Sequence, residues 1–193
     1  GALAFYMFAV IIGLIAHALF TYNGLIKLLT NMSIKKFYKG IAPAQLLAFS
    51  TSSSGATLPV TMERCEEELG VSEEVSSFVL PLGATINMDG TALYQAVAAV
   101  FIAQTMGMSL GLEEQLIIII TTVLASIGTA AVPGAGIIML VIILESINVP
   151  SQGIALILGV DRILDMIRTS INVTGDASVA VIISSLEDKF SKK

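Results

Sequence analysis

Among the polar and charged residues of the largely apolar segment 159–186, near the end of the chain, six are spaced so that a helix would place them on one face. They are Asp161, Asp165, Arg168, Thr169, Asn172 and Asp176. On a helix that turns about 100° per residue, all six fall within an arc of roughly 100°. A polar stripe on an apolar helix must face a protein interior or a water-filled cavity, so we expect this stripe to bind a polar ligand.

The chemistry of the polar stripe matches an acidic amino acid. The planar guanidinium of Arg168 can bind a carboxylate, and Asp165, one turn earlier, can pair with an ammonium group. Asn172 supplies an amide donor for a second carboxylate. Two acidic groups and one amine describe glutamate or aspartate. The alternative is a structural Asp165–Arg168 ion pair that holds two helices together.

Two further acids are candidates for binding a cation. Asp176 lies about 6 Å in rise beyond the preceding stripe residue, too far to contact the same ligand, and its carboxylate suits a hard monovalent cation. Asp89 stands in the sequence Asn-Met-Asp-Gly-Thr at 87–91. The alternative to a cation-binding role is that this motif forms a turn or a helix cap. Pro81 and Gly83 can loosen the helix before it and free carbonyl groups as further cation ligands.

Two apolar segments that are too short to span a bilayer are each broken by small and polar residues. Residues 41–50 end in the serine run 51–55, and residues 116–125 are interrupted by 126–136. Such breaks are costly in lipid unless they line a cavity, and their occurrence in two halves of a chain is typical of transporter binding sites. The half-helix after each break presents free N–H groups that attract a carboxylate. A flexible linker, or coincidence among common small residues, is the alternative.

The composition indicates a membrane protein. Of 193 residues, 55% are hydrophobic and 13% are charged, which is about half the charged fraction of a soluble domain. The net charge of −5 does not indicate nucleic-acid binding. With one cysteine, Cys65, and one histidine, His17, we expect no disulfide, no zinc site, no organic cofactor and no catalytic set, and therefore no enzyme. His17 is interpreted as a packed or interfacial residue.

The distribution of charge predicts a topology. Apolar residues 2–20 are long enough to cross a bilayer and do not have the features of a cleavable signal peptide. The lysines within 27–39 predict a cytoplasmic loop, and the basic tail 189–193 predicts a cytoplasmic C-terminus. The acidic run 63–74 is interpreted as a solvated connector.

Together these motifs resemble the glutamate transporter family, the dicarboxylate/amino acid:cation symporters. The resemblance rests on the serine run before Pro59, the pentapeptide at 87–91, the break at 134–136, and the spaced polar residues within 165–176. It covers nearly the whole chain, and the pentapeptide is a specific motif.

The resemblance implies an all-α membrane protein, an elevator-type transport domain in which transmembrane helices and two re-entrant helical hairpins form an inverted repeat. The implied segments are the sixth transmembrane helix at 1–30, the first hairpin at 40–69, the seventh helix at 76–106 with a break at 87–90, the second hairpin at 113–147, and the eighth helix at 153–187. The first five helices of the family, which form the scaffold and the trimer contact, are absent from this chain.

The resemblance also implies a set of site residues. The substrate is expected to contact Ser52, Ser53, Ser54, Thr91, Val132, Gly136, Asp165, Arg168, Thr169 and Asn172. Sodium is the expected coupling ion, at three sites. The first resembles Gly83, Asn87, Asn172 and Asp176; the second uses carbonyl groups near Thr85, Ser126, Ile127 and Thr129; the third involves Asn87 and Asp89 with an earlier helix.

The implied function is sodium-coupled uptake of aspartate or glutamate across the plasma membrane, or across the inner membrane of a bacterial cell. The implied partners are the acidic amino acid, the lipid bilayer and the scaffold helices, in a trimer and without nucleic acid. A neutral amino acid or C4-dicarboxylate carrier, proton coupling, and an ion channel or structural membrane module are the alternatives. The acids at Asp165 and Asp176 favour an amino acid and sodium. Where relatives carry a second arginine this chain has Ser52 and Met166, and Arg162 is the candidate substitute.

Overall fold

The computed structural model describes residues 1–191 and is helical throughout, without a strand in that range. The predicted basic tail therefore lies partly outside the described residues. The elements are α1 Ala2–His17, a π-helical turn Ala18–Tyr22, α2 Asn23–Leu29, α3 Ile34–Thr51, α4 Ser54–Glu67, α5 Glu73–Ile86, α6 Asp89–Thr105, α7 Leu112–Ile127, α8 Ala135–Ser146, a 3₁₀ turn Ser151–Leu156 and α9 Leu158–Ser191.

Two helical stretches are long and apolar enough to cross a membrane. The first, Ala2–Leu29, runs through α1, the π-helical turn and α2 as one continuous rod. The second, Glu73–Thr105, combines α5 and α6. Large apolar side chains such as Phe8, Phe20 and Leu28 are exposed on the first rod, as expected where lipid or a further apolar segment replaces water. The prediction of an all-helical protein with apolar helices is confirmed.

Helices α3 and α4 form a helical hairpin whose turn is made by two serines. Ser52 ends α3 in the left-handed conformation, with φ of 53°, which allows the chain to reverse. Ser53 then caps α4, because its hydroxyl accepts a hydrogen bond from the backbone N–H of Ala56 at 3.1 Å. We call Ser52, Ser53 and Ser54 the serine tip.

Helices α7 and α8 form a second helical hairpin, whose connection at 128–134 we call the glycine tip. Gly134 has φ of 77°, a conformation that favours glycine, and it precedes the first turn of α8. Each hairpin therefore consists of two helices joined by the small residues that the sequence marks as a break.

The helical break between α5 and α6 is narrower than the sequence predicts. Only Asn87 and Met88 leave the helical conformation, with φ of −101° and −110°, whereas Asp89 and Gly90 already belong to α6. Helix α5 remains regular through Pro81 and Gly83 and ends at Ile86.

Helix α9 is the element around which the others pack, because it contacts α1, α2, α3, α4, α5 and α6. It is a single helix of 34 residues.

The acidic run 63–74 differs from its interpretation as a connector: α4 continues to Glu67, an Arg64–Glu68 ion pair of 3.1 Å supports its end, and α5 starts at Glu73. Charged residues spaced by one turn stabilise a helix, which explains the extension.

Candidate binding site

The serine tip, the glycine tip, the start of α6 and the polar stripe of α9 meet around one cavity. Its lining includes every residue predicted to contact a substrate except Ser53, together with Met88, Thr129, Ala130 and Ala131. The cavity has a volume of about 20 Å³, which is room for about one water molecule. Three of the further lining residues, Met88, Ala130 and Ala131, are apolar or small, and no chemical pattern in the sequence singles them out.

Ser53 has a different position from the one predicted. Its hydroxyl donates to the carbonyl oxygen of Ala131 at 2.7 Å, and the backbone N–H of Gly55 donates to the same oxygen at 3.3 Å. A Cβ on Gly55 would approach that oxygen to 3.2 Å, so a small residue is favoured there. Ser53 therefore fastens the serine tip to the glycine tip instead of lining the cavity.

Arg168 is the only cation in the lining of the cavity and is almost fully buried, with 2% of its surface exposed. Its Nε and Nη2 donate to Oδ1 of Asp165 at 3.1 and 3.0 Å. Its remaining nitrogen, Nη1, is buried without a hydrogen-bond partner among the described residues. A buried donor of a charged group is costly when unpaired, so Nη1 is positioned for an anionic group from outside the chain.

Asp165 is held from three directions. Besides Arg168, it accepts from the Thr169 hydroxyl at 3.4 Å and, at Oδ2, from the backbone N–H of Gly134 at 2.8 Å. The ion pair predicted as an alternative therefore exists, but its two partners lie on one helix and join no second helix by themselves. The bond from Gly134 ties the glycine tip to α9.

Tyr94, Gln95 and Asp161 surround Arg168 and its neighbour Gly136, and of the three only Asp161 belongs to the predicted polar stripe. The guanidinium carbon of Arg168 lies 4.2 Å from the centre of the Tyr94 ring, and the Tyr94 hydroxyl donates to Asp161 at 2.5 Å. Gln95 donates to the carbonyl oxygen of Gly136 at 3.0 Å. Spacing could have found the first two, because they follow Thr91 by three and four residues and so share its helix face.

Gly136 gives the guanidinium its space. A Cβ at this position would lie 2.5 Å from Nη1 of Arg168 and 2.7 Å from its central carbon, so a larger residue would displace the charge. Val132, from the same hairpin, is 56% exposed and contributes to the lining beside the glycine tip.

Asn172 joins α9 to the start of α6. Its side-chain oxygen accepts from the backbone N–H of Gly90 at 2.9 Å, and its amide donates to the Thr91 hydroxyl at 3.0 Å. One of the two N–H groups of the predicted donor is thus used by Thr91 in this arrangement. Asn172 and Thr91 hold each other in place and form a polar part of the cavity lining.

Asp176 is nearly fully buried, with 3% exposed, and sits against the break between α5 and α6. Among the described residues its one hydrogen bond is from the Asn87 amide, at 3.0 Å. A Cβ on Gly83 would lie 2.6 Å from its carboxylate oxygen, so the backbone of α5 comes close. A buried carboxylate with a single neutral donor is poorly compensated, which is the chemistry that a bound cation corrects.

The interpretation of His17 as a packed residue misses its partner. His17 Nε2 lies 2.6 Å from Oδ2 of Asp89, and the Tyr22 hydroxyl donates to both oxygens of Asp89 at 2.6 and 2.7 Å. The backbone N–H of Gly90 adds a further bond of 2.9 Å. Asp89 is therefore bound by the first helical rod, a contact that periodicity within either segment does not predict.

The residues predicted to form a carbonyl-lined cation site lie at the facing ends of α5 and α7. Ser126 and Thr129 are buried, whereas Thr85 and Ile127 are exposed. The carbonyl of Ser126 accepts from the backbone N–H of Thr129 at 3.2 Å. Thr85 lies in the last turn of α5, Ser126 and Ile127 lie in the last turn of α7, and these two helices contact each other.

Comparison with known proteins gives consistent matches over almost the entire chain. The sequence profile of the sodium:dicarboxylate symporter family matches residues 1–186. An excitatory amino acid transporter of Caenorhabditis elegans is 47% identical over 94% of this chain and 36% of its own length. Human excitatory amino acid transporter 1 is 47% identical over 96% of this chain and 34% of its own length. The chain therefore spans about a third of the length of the curated relatives it matches.

Proposed function

The chain belongs to the sodium:dicarboxylate symporter family, and from that premise we propose that it forms the part of a sodium-coupled carrier that binds an acidic amino acid. The relatives are transporters of excitatory amino acids by name, and the site here has the charges that such a ligand needs.

The observation that carries the proposal is the state of Arg168. Its guanidinium is buried, held in place by Asp165 and the Tyr94 ring, and its Nη1 has no partner in the described protein. A substrate carboxylate at this nitrogen would complete the hydrogen bonds of the guanidinium. The N-terminal ends of α4 and α8 reach the same cavity and add positive partial charge.

Asp165 favours an amino acid over a dicarboxylate without an amine. An ammonium group near Oδ2 of Asp165 would take the place of the Gly134 N–H, which now donates there. This exchange would also release one of the bonds that hold the glycine tip. The contacts of Ser53 and Gly55 with Ala131 are the others.

The size of the cavity supports a movement of the glycine tip. About 20 Å³ cannot hold an amino acid, so the tip at 128–134 must move outward before a substrate enters. The serine tip is the better anchored of the two, because α3 and α4 pack along α9, whereas α7 and α8 pack mainly against α6 and each other. We assign the gating movement to the glycine tip.

Sodium is the coupling ion in this proposal. Asp176 with Asn87 and Gly83 forms one cation site, Asp89 with Asn87 a second, and the carbonyl groups near Thr85, Ser126, Ile127 and Thr129 a third. The poorly compensated carboxylate of Asp176 supports the first of these assignments most directly.

The proposed function also implies an arrangement of the helices in the membrane. We propose that the hairpins α3–α4 and α7–α8 are re-entrant, that residues 27–39 and the C-terminus face the cytoplasm, and that the carrier works in the plasma or bacterial inner membrane. Scaffold helices in addition to the segments described here, an elevator movement and a trimer complete the proposed transporter. Re-entry is supported by the lengths of α4 and α8, 14 and 12 residues, which are too short to cross a bilayer.

A competition series tests the substrate class. Radiolabelled L-aspartate bound to the purified protein in sodium chloride should be displaced by L-aspartate and L-glutamate at concentrations at least about tenfold lower than by succinate, since succinate has no ammonium group for Asp165. L-alanine, which has no second carboxylate, should compete equally poorly.

An Asp165→Asn variant is the matched control for this series. It should lose L-aspartate affinity while its affinity for succinate changes little, and Asp188→Asn, an exposed acid on the same helix, should change neither. If succinate displaces radiolabelled L-aspartate from the unmodified protein as effectively as unlabelled L-aspartate does, the protein is a dicarboxylate carrier and the amino acid proposal is wrong.

A further inference from the structure

Tyr22 is a buried residue of the first helical rod that neither the motif analysis nor the proposed binding set includes. Its side chain is 3% exposed, and its hydroxyl donates to Asp89 Oδ1 at 2.6 Å and Oδ2 at 2.7 Å. A hydroxyl centred on both oxygens of a carboxylate occupies the side on which a cation would bind both oxygens. Tyr22 and a cation at Asp89 therefore compete for the same lone pairs.

The local backbone is what aims Tyr22 at Asp89. The rod widens into a π-helical turn at Ala18–Tyr22, so that His17 and Tyr22, five residues apart, come to one face. Their rings pack edge to face with centres 4.9 Å apart, and both contact Asp89. In a regular α-helix, residues five apart point about 140° away from each other. Turns of this kind occur frequently at functional sites.

Gly175 provides the space for the Tyr22 hydroxyl. A Cβ on Gly175 would lie 2.7 Å from that oxygen and 3.2 Å from the amide nitrogen of Asn87. Asn87 in turn donates to Asp176. The hydroxyl of Tyr22 thus lies between the surroundings of Asp89 and those of Asp176. Its position explains why a glycine is favoured in the sequence Asn-Val-Thr-Gly-Asp at 172–176.

We propose that Tyr22 sets the cation affinity of Asp89, because its hydroxyl competes with a bound monovalent cation for the two carboxylate oxygens. Tyr22 is a positioning and selectivity residue in this proposal and contacts no substrate. The proposal rests on the proposed function, since it takes Asp89 to be a cation ligand. His17 also contacts Oδ2 of Asp89, so it lowers the cation affinity of Asp89 as Tyr22 does.

The test is a sodium titration of the purified protein in lipid nanodiscs, with the melting temperature as readout and choline chloride keeping ionic strength constant. Tyr22→Phe should lower the sodium concentration for half-maximal stabilisation by about tenfold, the effect of removing one hydrogen bond to a charged group. In an Asp89→Asn background the same change should have no effect. Tyr6→Phe removes a buried hydroxyl of the same helical rod that has no hydrogen-bond partner among residues 1–191, and it should leave the sodium titration unchanged.

Gly175→Ala gives independent evidence, because its Cβ must displace the hydroxyl without removing it. It should shift the sodium titration in the same direction as Tyr22→Phe and add little in the double variant. An unchanged or weakened sodium response in Tyr22→Phe, or an equal shift in the Asp89→Asn background, would overturn the inference. Absence of any sodium stabilisation in the unmodified protein would instead overturn the proposed sodium coupling, so the two failures are distinguishable.

Discussion

Replacing Arg168 by alanine is expected to weaken L-aspartate binding by about 30- to 5,000-fold, which corresponds to about 2–5 kcal/mol. The guanidinium is the only cation in the lining of the cavity, and its Nη1 is the buried donor that lacks a partner. Without it, a bound carboxylate would face the acid of Asp165 with no compensating charge. The measurement is calorimetric titration of L-aspartate into the protein in sodium chloride.

Two variants separate a specific role from general damage. Arg168→Lys keeps the charge but not the planar fork, so we expect most of the affinity to be lost in this variant as well. Arg162→Ala removes an exposed arginine six residues earlier on the same helix and should leave affinity within about twofold, the range of ordinary surface changes. Full affinity in Arg168→Ala would show that the carboxylate binds elsewhere. A loss in Arg162→Ala would support its role as the substitute second arginine.

Asp176→Asn is expected to reduce the stabilisation of the protein by sodium, by the share that binding at Asp176 contributes. Asn has nearly the same shape and still accepts the hydrogen bond from Asn87, but it carries no charge for a cation to compensate. Because Asp176 is 3% exposed and has one neutral donor among the described residues, its charge destabilises the fold when no cation is bound. We therefore expect a higher melting temperature than that of the unmodified protein in choline chloride, and a smaller further rise on changing to sodium chloride than the unmodified protein shows.

The size of this effect can be bounded. Relief of about 1–3 kcal/mol would raise the melting temperature in choline chloride by about 2–10 °C for a chain of this length. Thermal unfolding followed by intrinsic tyrosine fluorescence is the readout, and Asp188→Asn, an exposed acid on the same helix, is the control. A sodium-induced shift in Asp176→Asn as large as in the unmodified protein would exclude Asp176 as a cation ligand.

Much of the site could be predicted from sequence because it depends on residues whose presence in an apolar chain is costly. Arg168, Asp165 and Asp176 are conspicuous in a helix that is otherwise apolar, and helical periodicity places them on one face. The two helix breaks are visible for the same reason, since serine and glycine runs are unfavourable at membrane depth.

The contacts between distant segments could not be predicted in this way. The bond from Ser53 to Ala131 joins residues 78 apart, and the bonds from His17 and Tyr22 to Asp89 join residues 72 and 67 apart. Such pairs depend on how helices pack, and neither partner shows a local pattern that identifies the other. The π-helical turn that directs Tyr22 also has no signal in the sequence, because Ala18–Tyr22 contains neither proline nor glycine.

The same limit applies to the partners of Asn172 and to the acidic run. The chemistry of Asn172 predicts a donor for a substrate carboxylate, but it does not predict that Gly90 and Thr91 at the start of α6 bond to its amide. The run 63–74 was interpreted as a connector from its charge, although one-turn spacing of Arg64 and Glu68 supports a longer α4.

Sodium dependence of substrate binding tests the central claim most directly. L-aspartate should be titrated calorimetrically into the purified protein, once in sodium chloride and once in choline chloride at the same ionic strength. We predict saturable, stoichiometric binding in sodium and none in choline. Equal binding in the two salts would contradict coupling to sodium, and absence of L-aspartate binding in sodium would contradict the acidic amino acid site built around Arg168.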